Sequence, residues 1–141
     1  MKIVVNRCFG GFNLSMKAIR RLAELKGHPV YFYVRNYFYV CDGVKEFKRV
    51  EDESEVRHVV HAVKNDLGDT CDNATINATD FMDVRGIERN DLDLVKVVED
   101  LGEEANGQFA DLDIIEIPDN VNWEIDNYDG MEHVDEVHRS W

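Results

Sequence analysis

Hydrophobic positions along this chain alternate between a strand-like and a helix-like spacing, and the changes of spacing mark its elements. Ile3, Val4 and Val5 form a β-branched run that predicts a first strand from Lys2 to Asn6. A turn-rich loop, Arg7 to Leu14, leads to Ser15, a good helix N-cap. Beyond it Met16, Ile19, Leu22 and Ala23 share one helical face, while Lys17, Arg20, Arg21 and Glu24 point elsewhere. Gly27 and Pro29 end that helix. Residues 30–41 are the most β-prone stretch, dense in aromatics; Arg35-Asn36 either bends one long strand or separates two short ones. Asp42-Gly43 makes a turn, and residues 46–50 form another short strand.

Residues 54–66 admit two readings. Ser54 suits a helix cap, but Val59, Val60 and Val63 favour a strand, and the strand is preferred. Residues 68–90 are polar and aperiodic, which predicts a long loop. Asn90 then caps the clearest helix, with Asp91 and Asp93 complementing its dipole. Leu94, Val97, Val98, Leu101 and Ala105 line one stripe before Gly107. Leu112 to Ile117 reads as a strand closed by Pro118-Asp119, and Val121, Trp123 and Ile125 alternate into another that reaches about Tyr128. Asp129-Gly130 is a hairpin signal. The segment from Met131 to Trp141 reads either as the returning strand or as a terminal helix, since Met131, Val134, Val137 and Trp141 also keep helical spacing. Helices and strands do not alternate regularly. The expected fold is therefore α+β: a single domain over residues 1–141, with a mixed, largely antiparallel sheet covered by two main helices, about 15–26 and 91–106.

Composition supports this and narrows the setting. At 141 residues with 44% hydrophobic content, the chain suits one globular domain with a substantial core. No run of 18 apolar residues is present, so no membrane-spanning helix is expected. The opening apolar run is three residues long, too short for a signal-peptide core. Three scattered cysteines, Cys8, Cys41 and Cys71, leave one over and suit reduced thiols in a cytoplasm. The sequons at Asn73 and Asn77 then carry no meaning.

Charge is the strongest compositional feature. The formal net charge is −13: residues 1–50 carry ten Lys/Arg and three Asp/Glu, and residues 51–141 carry six and twenty-six. The plainer account is solubility, with the halves partly neutralising one another. The sharper one is an acidic surface that mimics nucleic acid or docks on a basic partner, and a third is a basic N-terminal patch that binds phosphates.

Three clusters are candidates for chemistry. Arg7, Gly10, Gly11, Asn13 and Ser15 lie on a strand–loop–helix junction whose amides and helix dipole suit an anion such as a phosphate. The loop matches neither the P-loop nor the dinucleotide fingerprint, and adjacent glycines equally serve a tight turn. Glu132, His133, Asp135, Glu136 and His138 are dense in metal-ligand types; on a helix Asp135 and His138 share a face, as do Glu132 and Glu136, whereas on a strand Glu132, Asp135 and His138 cannot all converge, and a solvated acidic element is the plainer account. His58 and His61 face opposite sides of a strand. Cys8 beside Arg7, near a helix N-terminus, has no histidine that spacing assigns to it. No catalytic residue, metal or cofactor is assigned.

Two segments carry a resemblance. N-R-C-F-G-G-F-N-L-S at 6–15 and E-I-P-D-N-V-N-W-E-I-D-N-Y-D-G-M-E-H-V-D-E-V-H-R-S-W at 116–141 resemble a family of small hypothetical proteins of tailed bacteriophages. The segment ending L-G-E-E-A-N-G at 107 fits the same family. The resemblance covers roughly half the chain and transfers no catalytic residue. It implies an accessory protein in the cytoplasm of an infected bacterium. The leading expectation is thus a non-enzymatic phage protein that binds a host or phage macromolecule through an acidic surface, with Tyr128, Glu132, Asp135, Glu136 and Trp141 as partner-binding residues. A nucleotide- or phosphate-binding protein using the Arg7–Ser15 loop, enzymatic or not, is one alternative. A minor structural or assembly protein that self-associates is another. Direct nucleic-acid binding is not expected from so acidic a chain.

Overall fold

The computed structural model describes residues 1–35, 47–56 and 60–137. In chain order its elements are β1 (Lys2–Asn6), α1 (Met16–Lys26), β2 (Tyr31–Arg35), β3 (Phe47–Val50), β4 (Val60–Val63), β5 (Thr70–Cys71), α2 (Asn73–Ala78), α3 (Leu92–Leu101), β6 (Leu112–Glu116), β7 (Trp123–Tyr128) and β8 (Met131–Glu136). Short 3-10 turns lie at Glu53–Glu55 and Gly102–Ala105. The protein is α+β, and among the described residues every paired strand is antiparallel. The strands are shared among three sheets, ordered β1–β6, β4–β2–β3–β5 and β7–β8. Among the described residues no helix is long and apolar enough to cross a membrane. The chain forms two compact units: Met1–Lys26 joins Val84–Trp141 in the first, and Gly27–Asp83 makes the second.

In the first unit, Ile3, Val4 and Val5 of β1 are all fully buried. Successive strand residues face opposite ways, so this strand is covered on both faces, which explains its unbroken apolar run. It pairs with β6 through Lys2↔Glu116 to Asn6↔Leu112. The helices α1 and α3 bring Met16, Ile19 and Leu22 together with Leu94, Val97 and Val98 in the core. Ser15 caps α1: its Oγ accepts the Ala18 N–H at 3.1 Å. At the start of α3 the cap is Asp91, one residue later than the sequence suggested, and its Oδ1 accepts from Asp93 N–H (2.9 Å) and Leu94 N–H (3.1 Å). Lys26 at the end of α1 donates to Asp91 (2.9 Å) and Asp93 (3.3 Å), tying the two helices together. The α-helix ends at Gly102, whose φ of 58° turns the backbone out of the spiral. The expected helix to residue 106 is thus completed by a 3-10 turn.

In the second unit, Tyr33, Phe47, Val63, Cys71 and Ile76 form a core flanked by Tyr31 and Leu67. The Tyr33 hydroxyl is anchored within it, donating to Gly68 O (2.7 Å) and accepting from Leu67 N–H (2.9 Å); burial pushes its phenol up. The preferred strand in 54–66 is present as β4, whereas Asp52, not Ser54, caps the preceding 3-10 turn. The expected loop at 68–90 contains β5 and α2. Asp72 caps α2 and its single buried apolar residue, Ile76, reaches the core, a tertiary contact that local periodicity does not signal. The ambiguous segment after residue 130 is a strand as far as Glu136.

Candidate functional site

The loop after β1 is held by Asn6, a fully buried polar residue. Its Nδ2 donates to Cys8 O (2.5 Å) and Gly130 O (2.7 Å), and its Oδ1 accepts from Cys8 N–H (3.3 Å) and Asp111 N–H (2.9 Å). One side chain thereby stitches together the 8–11 loop, the segment before β6 and the β7–β8 turn. Two glycines make this closeness possible. A Cβ at Gly10 would overlap the carbonyl oxygen of Phe109, and one at Gly130 would overlap that of Phe9. The neighbouring Gly11 takes φ 91°.

The candidate anion-binding residues are engaged elsewhere in the fold. Arg7 lies 3.5 Å from Asp113 and donates to Glu132 O at 3.4 Å. Asn13 offers its carbonyl to Gly107 N–H (3.1 Å). Ser15 N–H donates to Ala105 O (3.0 Å) and Ser15 Oγ to Glu104 O (2.6 Å), so carbonyl oxygens face the start of α1. Cys8 is half-buried beside them.

The β7–β8 hairpin carries the acidic chemistry. Asp129 (φ 54°) and Gly130 (φ 94°) form its two-residue turn, which sets the register Tyr128↔Met131, Asp126↔His133 and Glu124↔Asp135. The period of two then places Glu124, Asp126, Tyr128, Met131, His133 and Asp135 on one face. Five of these six are exposed, Met131 being half-buried. His133 Nε2 sits 3.3 Å from Asp126 Oδ2 and 3.1 Å from Asp135 Oδ2. These three ligand atoms lie within 4.8 Å of one another, a nitrogen-and-two-oxygen set of the kind divalent cations accept; hydrogen bonding to the imidazole accounts for the same geometry.

The opposite face carries Trp123, Ile125, Glu132 and Val134. Glu132, expected on the partner-binding surface, is only 3% exposed. It accepts Asn6 N–H at 2.9 Å and a two-pronged contact from Arg89 at 2.6 and 3.0 Å. The Arg89 guanidinium also stacks 3.6 Å above the Phe12 ring. Glu136 pairs opposite Trp123, on the other face from Asp135, and is exposed. Tyr128 and Asp135 do share the outward face. Trp141, together with His58, His138 and Cys41, lies outside the described residues. Convergence of Asp126 with His133 and Asp135 was hidden in the sequence because it depends on pairing across the turn; counting outward from Asp129-Gly130 is the signal that finds it.

The segment that carries this hairpin is one-sided in charge, and Arg7 and Arg89 reach Asp113 and Glu132 from elsewhere in the chain. Between Lys96 and Arg139 the chain has fourteen Asp/Glu and no Lys or Arg. No family model matches this chain, and neither a curated protein nor a solved structure is significantly similar to it.

Proposed function

We propose that this protein works by binding rather than by catalysis, docking its acidic β6–β8 surface on a basic region of another macromolecule. The observation that carries this reading is the hairpin register, which sets Glu124, Asp126 and Asp135 on one outward face within a stretch that holds fourteen Asp/Glu and no Lys or Arg of its own. Such a surface attracts positive partners over several ångströms and repels phosphate backbones. Because exposed charges are screened over about 8 Å at physiological salt, binding of this kind weakens as salt rises. The phage-like segments suggest a setting, an accessory protein meeting a host or phage protein in an infected bacterium.

The reading is tested by capturing partners from infected bacteria with the wild-type chain and with a Glu124→Gln/Asp126→Asn/Asp135→Asn variant, at low and high salt. A partner that is basic, released by salt and lost by the variant supports it. Partners retained equally by both proteins at all salt concentrations would overturn it.

A further inference from the structure

Three large apolar or aromatic side chains stand in water around the Asn6 junction. Phe9 is 59% exposed, Phe109 72% and Tyr128 75%. Their backbones meet. Gly10, next to Phe9, abuts Phe109; Gly130, two residues after Tyr128, abuts Phe9 and Gly11. The Asn6 side chain bonds Cys8, Asp111 and Gly130, each within two residues of one of the three. Exposed aromatics carried on converging backbones offer a partner more contact than the same residues scattered over the surface. Phe109 also adopts φ 61°, a left-handed conformation that disfavours a bulky side chain, inside the turn that Ala110 N–H closes on Gly107 O at 3.1 Å, and its ring is left exposed there.

The surroundings specify what the rings meet. Asp111 and Asp129 are exposed beside Phe109 and Tyr128, and Tyr128 shares its hairpin face with Glu124, Asp126 and Asp135. A second copy of the chain would bring the same acids against these and be repelled. A ring bordered by carboxylates suits a guanidinium, which stacks on the π-face while its N–H groups reach the acids. The protein uses this pairing for its own arginines: Arg89 stacks on Phe12 while bonding Glu132, and Arg49 lies 4.8 Å over Tyr31 while bonding Asp66.

We infer that Phe9, Phe109 and Tyr128 form a preorganised anchor for arginine side chains of a basic polypeptide. The inference rests on the docking function proposed above and adds the part of that surface that grips. Rings supply the contact, carboxylates the steering, and Asn6 the rigidity.

The test uses the full chain and a fluorescein-labelled nona-arginine peptide, with nona-lysine for comparison, titrated across a salt series. Wild type binds nona-arginine more tightly than nona-lysine, and affinity falls with salt. Phe9→Ala, Phe109→Gly and Tyr128→Ala each weaken nona-arginine by about 2- to 30-fold and leave the slope of affinity against salt unchanged. Asp126→Asn with Asp135→Asn flattens that slope, whereas Asp69→Asn with Asp80→Asn, in the second unit, leaves the ring-dependent difference intact. Phe109→Gly keeps or raises the melting temperature, because glycine takes φ 61° without strain. Ring variants that bind like wild type, while the hairpin acid variant loses binding, overturn the anchor and leave the docking function standing. A fall in melting temperature for Phe109→Gly makes that ring structural and also overturns it. Wild type that ignores the peptide at low salt removes both.

Discussion

Removing the Glu132 carboxylate would strand Arg89 beneath the hairpin, with 16% of its side chain exposed and its counter-ion gone. Breaking one partner of a buried pair typically costs about 3–5 kcal/mol, whereas replacing both with apolar groups of similar size is often near neutral. Glu132→Ala is therefore expected to lose about that much stability in urea denaturation, and Arg89→Met with Glu132→Leu to recover part of it, the remainder being the buried Asn6 N–H left without its acceptor. If the double variant is as unstable as the single one, the pair serves as more than a mutual counter-charge. Little of this was legible beforehand. Glu132 is one of twenty-nine acids, and only the pairing of β7 with β8 turns it inward while Asp126 and Asp135 turn outward. Asn6 was equally hidden, since the four bonds of its side chain reach residues as far away as position 130. The Gly10-Gly11 pair was visible, but the backbone that fills the space in front of Gly10, at Phe109, was not.

Among the elements, those with sustained periodicity were readable and the short ones were not. The helix stripes of α1 and α3, the alternation of β7 and the Asp-Gly turn all appear where local pattern places them, because pattern and burial agree there. By contrast, α2 has one buried residue and exists through its contact with the core, and the α3 cap fell on Asp91 because either Asn90 or Asp91 satisfies the local rule. Asp91→Ala is expected to cost about 1 kcal/mol, read as a lowered denaturation midpoint. Burial works against the charged form of Asp91, but hydrogen bonds from Lys26 and from the Leu94 and Asp93 amides outweigh it and hold its carboxyl below the ordinary 3.8. Its contribution is therefore complete above pH 3.8 and drains away as pH falls through the lower folded value. Lys26 behaves oppositely: its bond to Asp91, against the cost of burial, raises its ammonium above 10.5, so its contribution persists below pH 10.5 and disappears as pH climbs through the raised value. In Lys26→Met the acid limb of the stability profile should shift toward neutral pH and the alkaline limb should flatten.

At the scale of the whole molecule, both units are acidic: the first holds ten Lys/Arg against eighteen Asp/Glu, the second six against eleven. Moderate sodium chloride is accordingly expected to raise the melting temperature by relieving self-repulsion, while the same salt loosens partners. A melting temperature that falls with salt would mean attractive ion pairs dominate instead. The second unit has its own sensitivity. Burial, aided by Arg35, pushes the His61 imidazole below its ordinary 6.5, and its ring meets Phe47 edge-on at 5.3 Å. The unfolded chain then takes up the proton first, so this unit is expected to weaken as pH drops from about 6.5 toward the lower folded value, and His61→Phe to remove that step, followed by amide exchange across β4. The division of the chain also sets an order of assembly. β1 finds its partner more than a hundred residues downstream, at β6, while every strand of the second unit lies within one contiguous stretch. On a translating ribosome the middle of the chain is complete while β1 still waits for its mate, so protease protection of stalled nascent chains should appear at Gly27–Asp83 first and reach the N-terminal residues only after the final hairpin has emerged.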